Sequence, residues 1–248
     1  KINLILRVGG CLPNGYHPLW SLMQTIELTD ELTLSLAGSF SGVRLEHEGL
    51  NLGDPRENLV YQAATLVLEK TQSVVGVNIS LRKQIPVAAG LGGGSSDAAV
   101  TLIELNELWN LRLSAQTLSD LAIQLGSDVP FFLTGGCALA VGRGDTLTRT
   151  VAVEGIWAII LSPPHTFTAK TSQIYSLLHE RDFTDGSNTR ELATEIANGN
   201  ATIYNLSKGQ NVFEKVAMEA FSGLDHHFRT LLKWGAPFAK LSGTGPSI

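Results

Sequence analysis

The chain has 248 residues, of which 44% are hydrophobic and 17% charged, and a formal net charge of −5, which is material for a sizeable core in one large domain or two smaller ones. The acidic balance argues against phosphate-backbone binding as the main task, since that needs clustered Lys and Arg, so no nucleic acid partner is expected. No apolar run approaches the ~18 to 20 residues of a membrane helix, so no membrane partner is expected either.

The start, "KINLILRV", lacks a basic stretch, apolar region and cleavage site in series, and an intracellular protein is expected. "INLILRV" has strand texture, and "ELTLSLAG", "VRLEHEG" and "VGVNISLR" follow with period two. Between the last two lies "ENLVYQAATLVLEK", a helix by its apolar spacing, with Asp54 and Pro55 ahead of it. "SSDAAVTLIELNELWNL" is apolar nearly all round, as a helix buried between layers would be, starting at Ser95 with Ser95 or Ser96 as its cap. "SAQTLSDLAIQLG" carries a Ser cap and a terminal Gly, a helix with both ends marked. "CALAVG" and "GIWAIILS" return to strand character, and residues 170 to 234 read mainly as helices. Cys11 and Cys137 stand far apart without zinc or disulfide spacing and read as reduced, partly buried thiols. There is no repeat, low-complexity segment or clean linker. A β-rich start, a mixed middle and a largely α end favour an α+β protein with two lobes over a regularly alternating parallel sheet.

The stretch "PVAAGLGGGSSDAAV", residues 86–100, exposes bare backbone directly ahead of a helix. Such backbone lets N–H groups approach a ligand closely, and the helix start aims unpaired N–H groups and the positive dipole end at the same spot. The combination is an anion cradle, most often for phosphate; read blandly it is a flexible turn with a helix cap. Spacing excludes several known loops. No lysine follows the glycines as Walker A requires. The dinucleotide fingerprint would need glycine where Ser95 stands. A protein-kinase loop would need H-R-D and D-F-G partners, which "HERDFT" does not supply, and G-x-S-x-G is absent.

With these residues the chain resembles the GHMP kinases, small-molecule kinases whose phosphate loop is a glycine and serine turn before a long helix. "PVAAGLGGGSSDAAV" is similar to the family's second signature, "KINL" to its first and "KLSGTGPSI" at 240–248 to its third, in the family's order. The resemblance covers essentially the whole chain and is loose from 165 to 235. It implies a two-lobed GHMP kinase fold: residues 1–150 as an ATP-binding N-terminal lobe resembling a ribosomal-protein-like βαβ fold, and 151–248 as a C-terminal α/β lobe. "GGGSSDAA", "NGYHPLWSLMQ" and "LGSDVPFFLTGGCALAVGRGD" are together most similar to the branch acting on a cytidine diphosphate-linked methylerythritol. The implied reaction is transfer of the ATP γ-phosphoryl group to that substrate's 2-hydroxyl, in the non-mevalonate (MEP) route to isoprenoid precursors.

The chemistry asks for a held triphosphate, a positioned hydroxyl that can lose its proton, and positive charge for the transferred group. By resemblance, Asp128 in "GSDVPFF" is the base; by residue type alone it is a turn or cap residue. Lys1 is the motif-one lysine, orienting the hydroxyl and offsetting negative charge, against a bland reading as a solvated lysine. Tyr16 and His17 follow a turn-type Asn-Gly pair, and stacking with ring-edge hydrogen bonding is what cytosine recognition needs. The resemblance carries these two to the cytidine site and Asn3 to the substrate hydroxyls, with Thr168 and Gly243 as further substrate-side positions. For ATP it implies a wrap of Pro86, Val87, Ala88, Ala89, Gly90, Leu91, Gly92, Gly93, Gly94, Ser95 and Ser96 around the phosphates. Asn58, Leu59 and Lys83 match positions beside the adenine, and the Ser96 hydroxyl is a candidate ligand to Mg²⁺. Gly243 and Gly245 would let two backbone segments meet beneath the phosphate loop; read blandly they form a hairpin turn.

The chain begins on the motif-one lysine and stops inside motif three, where the family continues, so a trimmed core with an open edge in the second lobe is expected. A monomer or homodimer in the bacterial cytoplasm or plastid stroma fits the resemblance. Two other readings compete. A different GHMP kinase, acting on homoserine, mevalonate or a sugar, would share the ATP loop and need no cytosine site. A non-catalytic nucleotide- or RNA-binding module would leave Lys1 and Asp128 idle.

Overall fold

In the computed structural model, residues 1–38, 40–48, 53–72, 75–163 and 171–248 are described. Their strands are β1 (Ile2–Val8), β2 (Leu19–Gln24), β3 (Glu31–Ala37), β4 (Val43–Glu48), β5 (Gly76–Arg82), β6 (Cys137–Gly142) and β7 (Thr146–Thr150). Their helices are α1 (Leu59–Thr71), α2 (Gly93–Leu108), α3 (Ala115–Leu125), α4 (Val129–Phe132), α5 (Thr171–Tyr175), α6 (Ser187–Ala197), α7 (Ile203–Lys208), α8 (Glu214–Ala220) and α9 (Leu224–Lys233). The order is β-rich, then mixed, then α, as the sequence pattern predicts.

Two compact units result. The first gathers Lys1–Ile26, Ala88–Leu91 and Gly135–Ile248, and the second Glu27–Val87 and Gly92–Thr134. Residues 1–150 therefore contribute to both.

In the first unit β1, β2, β6 and β7 pair in that order, all antiparallel. Pairing along β1 is irregular between Asn3 and Ile5, a break that re-aims side chains near the start of the strand. Leu6 and Val8 pack with Phe213, Leu224, Phe228 and Leu241, while Leu4, Ile5, Leu22 and Cys137 pack with Leu192, Ile196 and Leu206. Burial pushes the Cys137 thiol up to about 12, whereas Cys11 is exposed, contrary to the expectation of two partly buried thiols, because it lies in a surface loop.

In the second unit β5 lies between antiparallel β3 and parallel β4. The Asn58 side chain accepts from Val60 N–H to start α1, and Ser114 accepts from Thr117 N–H to start α3, which ends at Gly126. α2 packs against α1, α3, α4 and β3, and Ala98, Ala99, Leu102 and Leu105 are fully buried along it. That is the physical reason its sequence is apolar nearly all round: it has no broad solvent face.

Two expectations need correction. α2 starts at Gly93 rather than Ser95, capped by Gly92 in the left-handed region (φ 72°), so neither Ser95 nor Ser96 is the cap. "GIWAIILS" forms no regular strand: Leu161 exchanges two main-chain bonds with Ile248, each 2.9 Å, but Trp157 and Ile159 are 94% and 78% exposed. Apolar character alone does not make a strand where no neighbour covers the face. β2, β7 and α4 are further elements that the patterns above do not predict. β2 lies inside the "LWSLMQ" stretch quoted for its loop, and α4 is a single turn, too short to show periodicity.

Candidate active site

Four separated stretches of the first unit meet around two side chains. Lys1 Nζ donates to Asn3 Oδ1 at 2.8 Å and to Gly90 O at 3.2 Å, and the Lys1 main-chain nitrogen donates to Leu91 O at 3.0 Å. Asn3 Oδ1 accepts a second bond, from Gly243 N–H at 3.0 Å, which fills both of its lone pairs. The amide orientation is fixed on the other side. Ser21 Oγ gives its one hydrogen to Ile5 O (2.9 Å), so towards Asn3 it can only accept, and Asn3 Nδ2 donates to it at 2.7 Å. Lys1 and Asn3 are both buried. The bland reading of Lys1 as a solvated lysine does not hold: its ammonium lies in a network of oriented acceptors.

The glycines permit this closeness. A Cβ at Gly90, whose φ is +80°, would lie 2.1 Å from Ser242 O, and one at Gly243 (φ +57°) would lie 3.0 Å from Gly90 O. Ser242 Oγ donates to Gly90 O at 3.0 Å and Ser247 N–H to Ala89 O at 3.2 Å, while Ser242 N–H closes on Ser247 O at 2.9 Å. The third glycine stretch is thus a turn, and one whose backbone touches Ala89 and Gly90 of the glycine loop. Positive φ recurs at every second residue of that loop, at Ala88 (54°), Gly90 (80°) and Gly92 (72°).

In the second unit the start of α2 has its own chemistry. The first bond within the helix runs from Ser96 N–H to Gly92 O at 2.9 Å, so Gly93, Gly94 and Ser95 precede the ladder. Leu59 lies beside Gly94, and Lys83 Nζ lies beside Gly93, where a Cβ would sit 3.1 Å from it. Lys83 is held between two carboxylates, 2.5 Å from Asp30 Oδ2 and 2.8 Å from Asp97 Oδ2, with all three side chains buried. Asp30 also accepts from Gln84 N–H (2.6 Å) and Ile85 N–H (2.9 Å). One ammonium cannot offset two buried negative charges. Burial would raise Asp30, but its three donors outweigh that and hold it below the usual carboxylate range. Asp97 is pushed up to about 7, chiefly by burial, with the Lys83 bond opposing and the neighbouring Asp30 carboxylate adding to the rise. Asn58, expected beside the adenine, spends its side-chain oxygen on the α1 cap (2.9 Å to Val60 N). A cavity of about 380 Å³ between β3 and α2, lined in part by Asp30, Ser96, Asp97 and Glu104, adjoins these turns, so the helix start is not packed solid.

Asp128 stands at the cap position of α4 without a side-chain bond to that helix's amides. Val129 and Phe131 behind it are fully buried, and Phe131 meets Phe132 edge-on at 5.2 Å, so the turn is anchored by apolar packing. In the first unit, His17 Nδ1–H donates to Gly9 O at 2.9 Å, and its ring lies 5.0 Å from Phe183 and 6.2 Å from Tyr175. Tyr16 is half-exposed beneath the Arg143 guanidinium, 3.8 Å from its ring centroid. Thr168 lies outside the described residues. Among the described residues no group of three or more His, Cys, Asp or Glu side chains is arranged to hold a metal ion, and no helix is long and apolar enough to cross a membrane.

Residues 58–136 match the GHMP kinases N terminal domain family. The chain is 39% identical to 4-diphosphocytidyl-2-C-methyl-D-erythritol kinase of Pelotomaculum thermopropionicum, over all of this chain and 85% of that one. It is 36% identical to the same-named kinase of Alkaliphilus metalliredigens, over all of this chain and 84% of the relative. A crystal structure of 4-(cytidine 5'-diphospho)-2C-methyl-D-erythritol kinase superposes with a TM-score of 0.77 at 31% identity, covering 99% of this chain and 85% of that one. The chain belongs to the 4-diphosphocytidyl-2-C-methyl-D-erythritol kinase family, within the GHMP kinases. It is a phosphotransferase of the GHMP kinase fold.

Three partners of the Tyr16–His17 pair carry no local sequence signal. Phe183 and Tyr175 come from segments far along the chain from His17, and no local pattern links them to it. Arg143 lay inside the quoted "GRGD" stretch with nothing to point to Tyr16.

The glycine contact and the buried trio each give a prediction. Gly90→Ala should lower turnover on the order of 10²-fold, because the added methyl must displace the Ser242 carbonyl and with it the turn holding Asn3. Steady-state kinetics alongside thermal unfolding will check this; wild-type turnover would mean that the close approach is not required. Asp97 has a folded value above its ordinary 3.8, so its stabilising contribution is complete below about pH 4 and lost as pH rises through about 7. In Asp97→Asn, the change in urea midpoint between about pH 5 and about pH 8 should shrink relative to wild type. An unchanged pH dependence would show that Asp97 does not titrate there.

Proposed function

We propose that the protein transfers the γ-phosphoryl group of ATP to the 2-hydroxyl of 4-diphosphocytidyl-2-C-methyl-D-erythritol, giving the 2-phosphate and ADP in isoprenoid precursor synthesis. The family membership supports the reaction, and ATP is the co-substrate that a GHMP kinase uses. The observation that carries it is the buried Lys1–Asn3–Gly243 network against Gly90, which brings three signatures to one place.

In this reading Lys1 orients the acceptor hydroxyl and offsets charge as its proton leaves, Asn3 holds Lys1, and Asp128 takes the proton. The residues from Pro86 to Ser96 cradle the triphosphate through main-chain N–H groups. Asn58, Leu59 and Lys83 border the adenine, Lys83 through its backbone and hydrocarbon stem, because its ammonium is spent on Asp30 and Asp97. Tyr16 and His17 receive the cytosine, with Thr168 and Gly243 on the substrate side. Ser96 contributes one hydroxyl to Mg²⁺. One protein hydroxyl fits an ion that would come bound to the triphosphate, and such an ion would neutralise charge on the transferred group. Residues 1–150 and 151–248 are the ATP-binding and C-terminal lobes by motif rather than by packing. A cytoplasmic monomer or homodimer completes the proposal.

A coupled ADP-release assay with the cytidyl alcohol tests the reaction. Asp128→Asn should lower kcat by about 10²- to 10⁴-fold while ATP affinity changes little, and near-full activity would remove the base assignment. CMP or CDP should compete with the alcohol substrate, and homoserine or mevalonate should not. The reverse pattern would favour another GHMP kinase.

A further inference from the structure

We propose that Asn211 is a positioning residue for the phosphoryl-transfer site, a clamp that joins the strand carrying Lys1 and Asn3 to the glycine turn that holds them. The inference rests on the kinase reading above and adds a residue to it.

Asn211 precedes α8 and is buried, 5% exposed. Its main chain runs beside β1: Leu6 N–H donates to Gln210 O and Val212 N–H to Leu6 O, both 2.9 Å, in a parallel bridge between Leu6 and Asn211. Its side-chain amide points the other way. Asn211 Nδ2 donates to Leu241 O at 2.9 Å and to Gly243 O at 2.7 Å, using both hydrogens on the turn. Asn211 Oδ1 meanwhile accepts from Phe213 N–H at 3.0 Å, an Asx turn that leads into α8. One turn further on, Glu214 Oε1 accepts from Leu241 N–H at 3.3 Å.

The turn is thus gripped at Leu241 N–H, Leu241 O and Gly243 O, and the Gly243 N–H between those grips points at Asn3 Oδ1. The same Asn3 oxygen holds Lys1 Nζ. A buried amide with both donors committed to main-chain carbonyls sets where that peptide sits, because leaving the carbonyls unpaired is costly. Asn3 and Gly243 are 240 residues apart in sequence, so tertiary contacts set their separation: the Gly90 backbone on one side of the turn and the Asn211 amide on the other.

Asn211→Asp separates the clamp from the helix start. Aspartate keeps the acceptor for Phe213 N–H but turns an acceptor on the Leu241 and Gly243 carbonyls. The variant should keep wild-type affinity for a fluorescent ADP analogue within about threefold and lose kcat by about 10- to 100-fold, with KM for the alcohol little changed. Amide hydrogen exchange in residues 240–248 should speed up at least about tenfold while β1 stays protected. Unchanged kcat, or unchanged exchange in that segment, overturns the proposal. So does a kcat loss no larger than the loss of folded protein. If Asn211→Asp does not fold, Glu214→Ala releases the same turn at Leu241 N–H and should show the same split; wild-type kinetics and exchange there would overturn the clamp. A wild-type enzyme that does not turn over the cytidyl alcohol counts against the kinase reading alone, because the exchange measurement needs no activity.

Discussion

Main chain against main chain at Gly90 and Gly243 is the contact on which the first unit's site depends. A side-chain carbon at Gly90 would meet the Ser242 carbonyl oxygen at 2.1 Å and displace the third signature, and one at Gly243 would crowd Gly90 O at 3.0 Å. Four bonds of the network sit at the edge of that contact: Ser242 on Gly90, Gly243 on Asn3, and Lys1 on Asn3 and on Gly90. The glycines supply the space and the side chains supply direction. Neither works alone, because an ammonium without oriented acceptors would spread over many rotamers and lose entropy on ordering.

The second unit solves a different problem, the approach of negative charge to a helix start. A buried ammonium next to Gly93 would seem to favour a phosphate, yet Lys83 is already flanked by Asp30 and Asp97. With Asp30 ionised and Asp97 holding its proton up to about pH 7, the trio is close to neutral. Attraction for an anion at this helix therefore falls to the main-chain N–H groups of the first turn, which keep their orientation without titrating.

How much of this the sequence disclosed depends on the distance over which each signal acts. Caps act within a few residues, and α3, with Ser114 before it and Gly126 after it, was readable at both ends. The start of α2 was misplaced because serines are the habitual caps, whereas glycine in a left-handed conformation leaves no distinctive side-chain mark. "GIWAIILS" had the composition of a strand, but a strand also needs a partner and a covered face, and composition reports neither. The three signatures were visible as separate stretches. That Asn3 would be the atom-level junction between the first and third, or that Phe183 would lie against His17, depends on tertiary contacts that no local spacing encodes.

The two thiols differ enough to be useful. Cys137 is sealed in the sheet core, and its proton is held so firmly that thiolate, the form that reacts with alkylating reagents, is negligible near neutrality. Cys11 is open to solvent in the loop that carries Tyr16 and His17. A maleimide dye added to these 248 residues would therefore attach at one defined point, beside Tyr16 and His17.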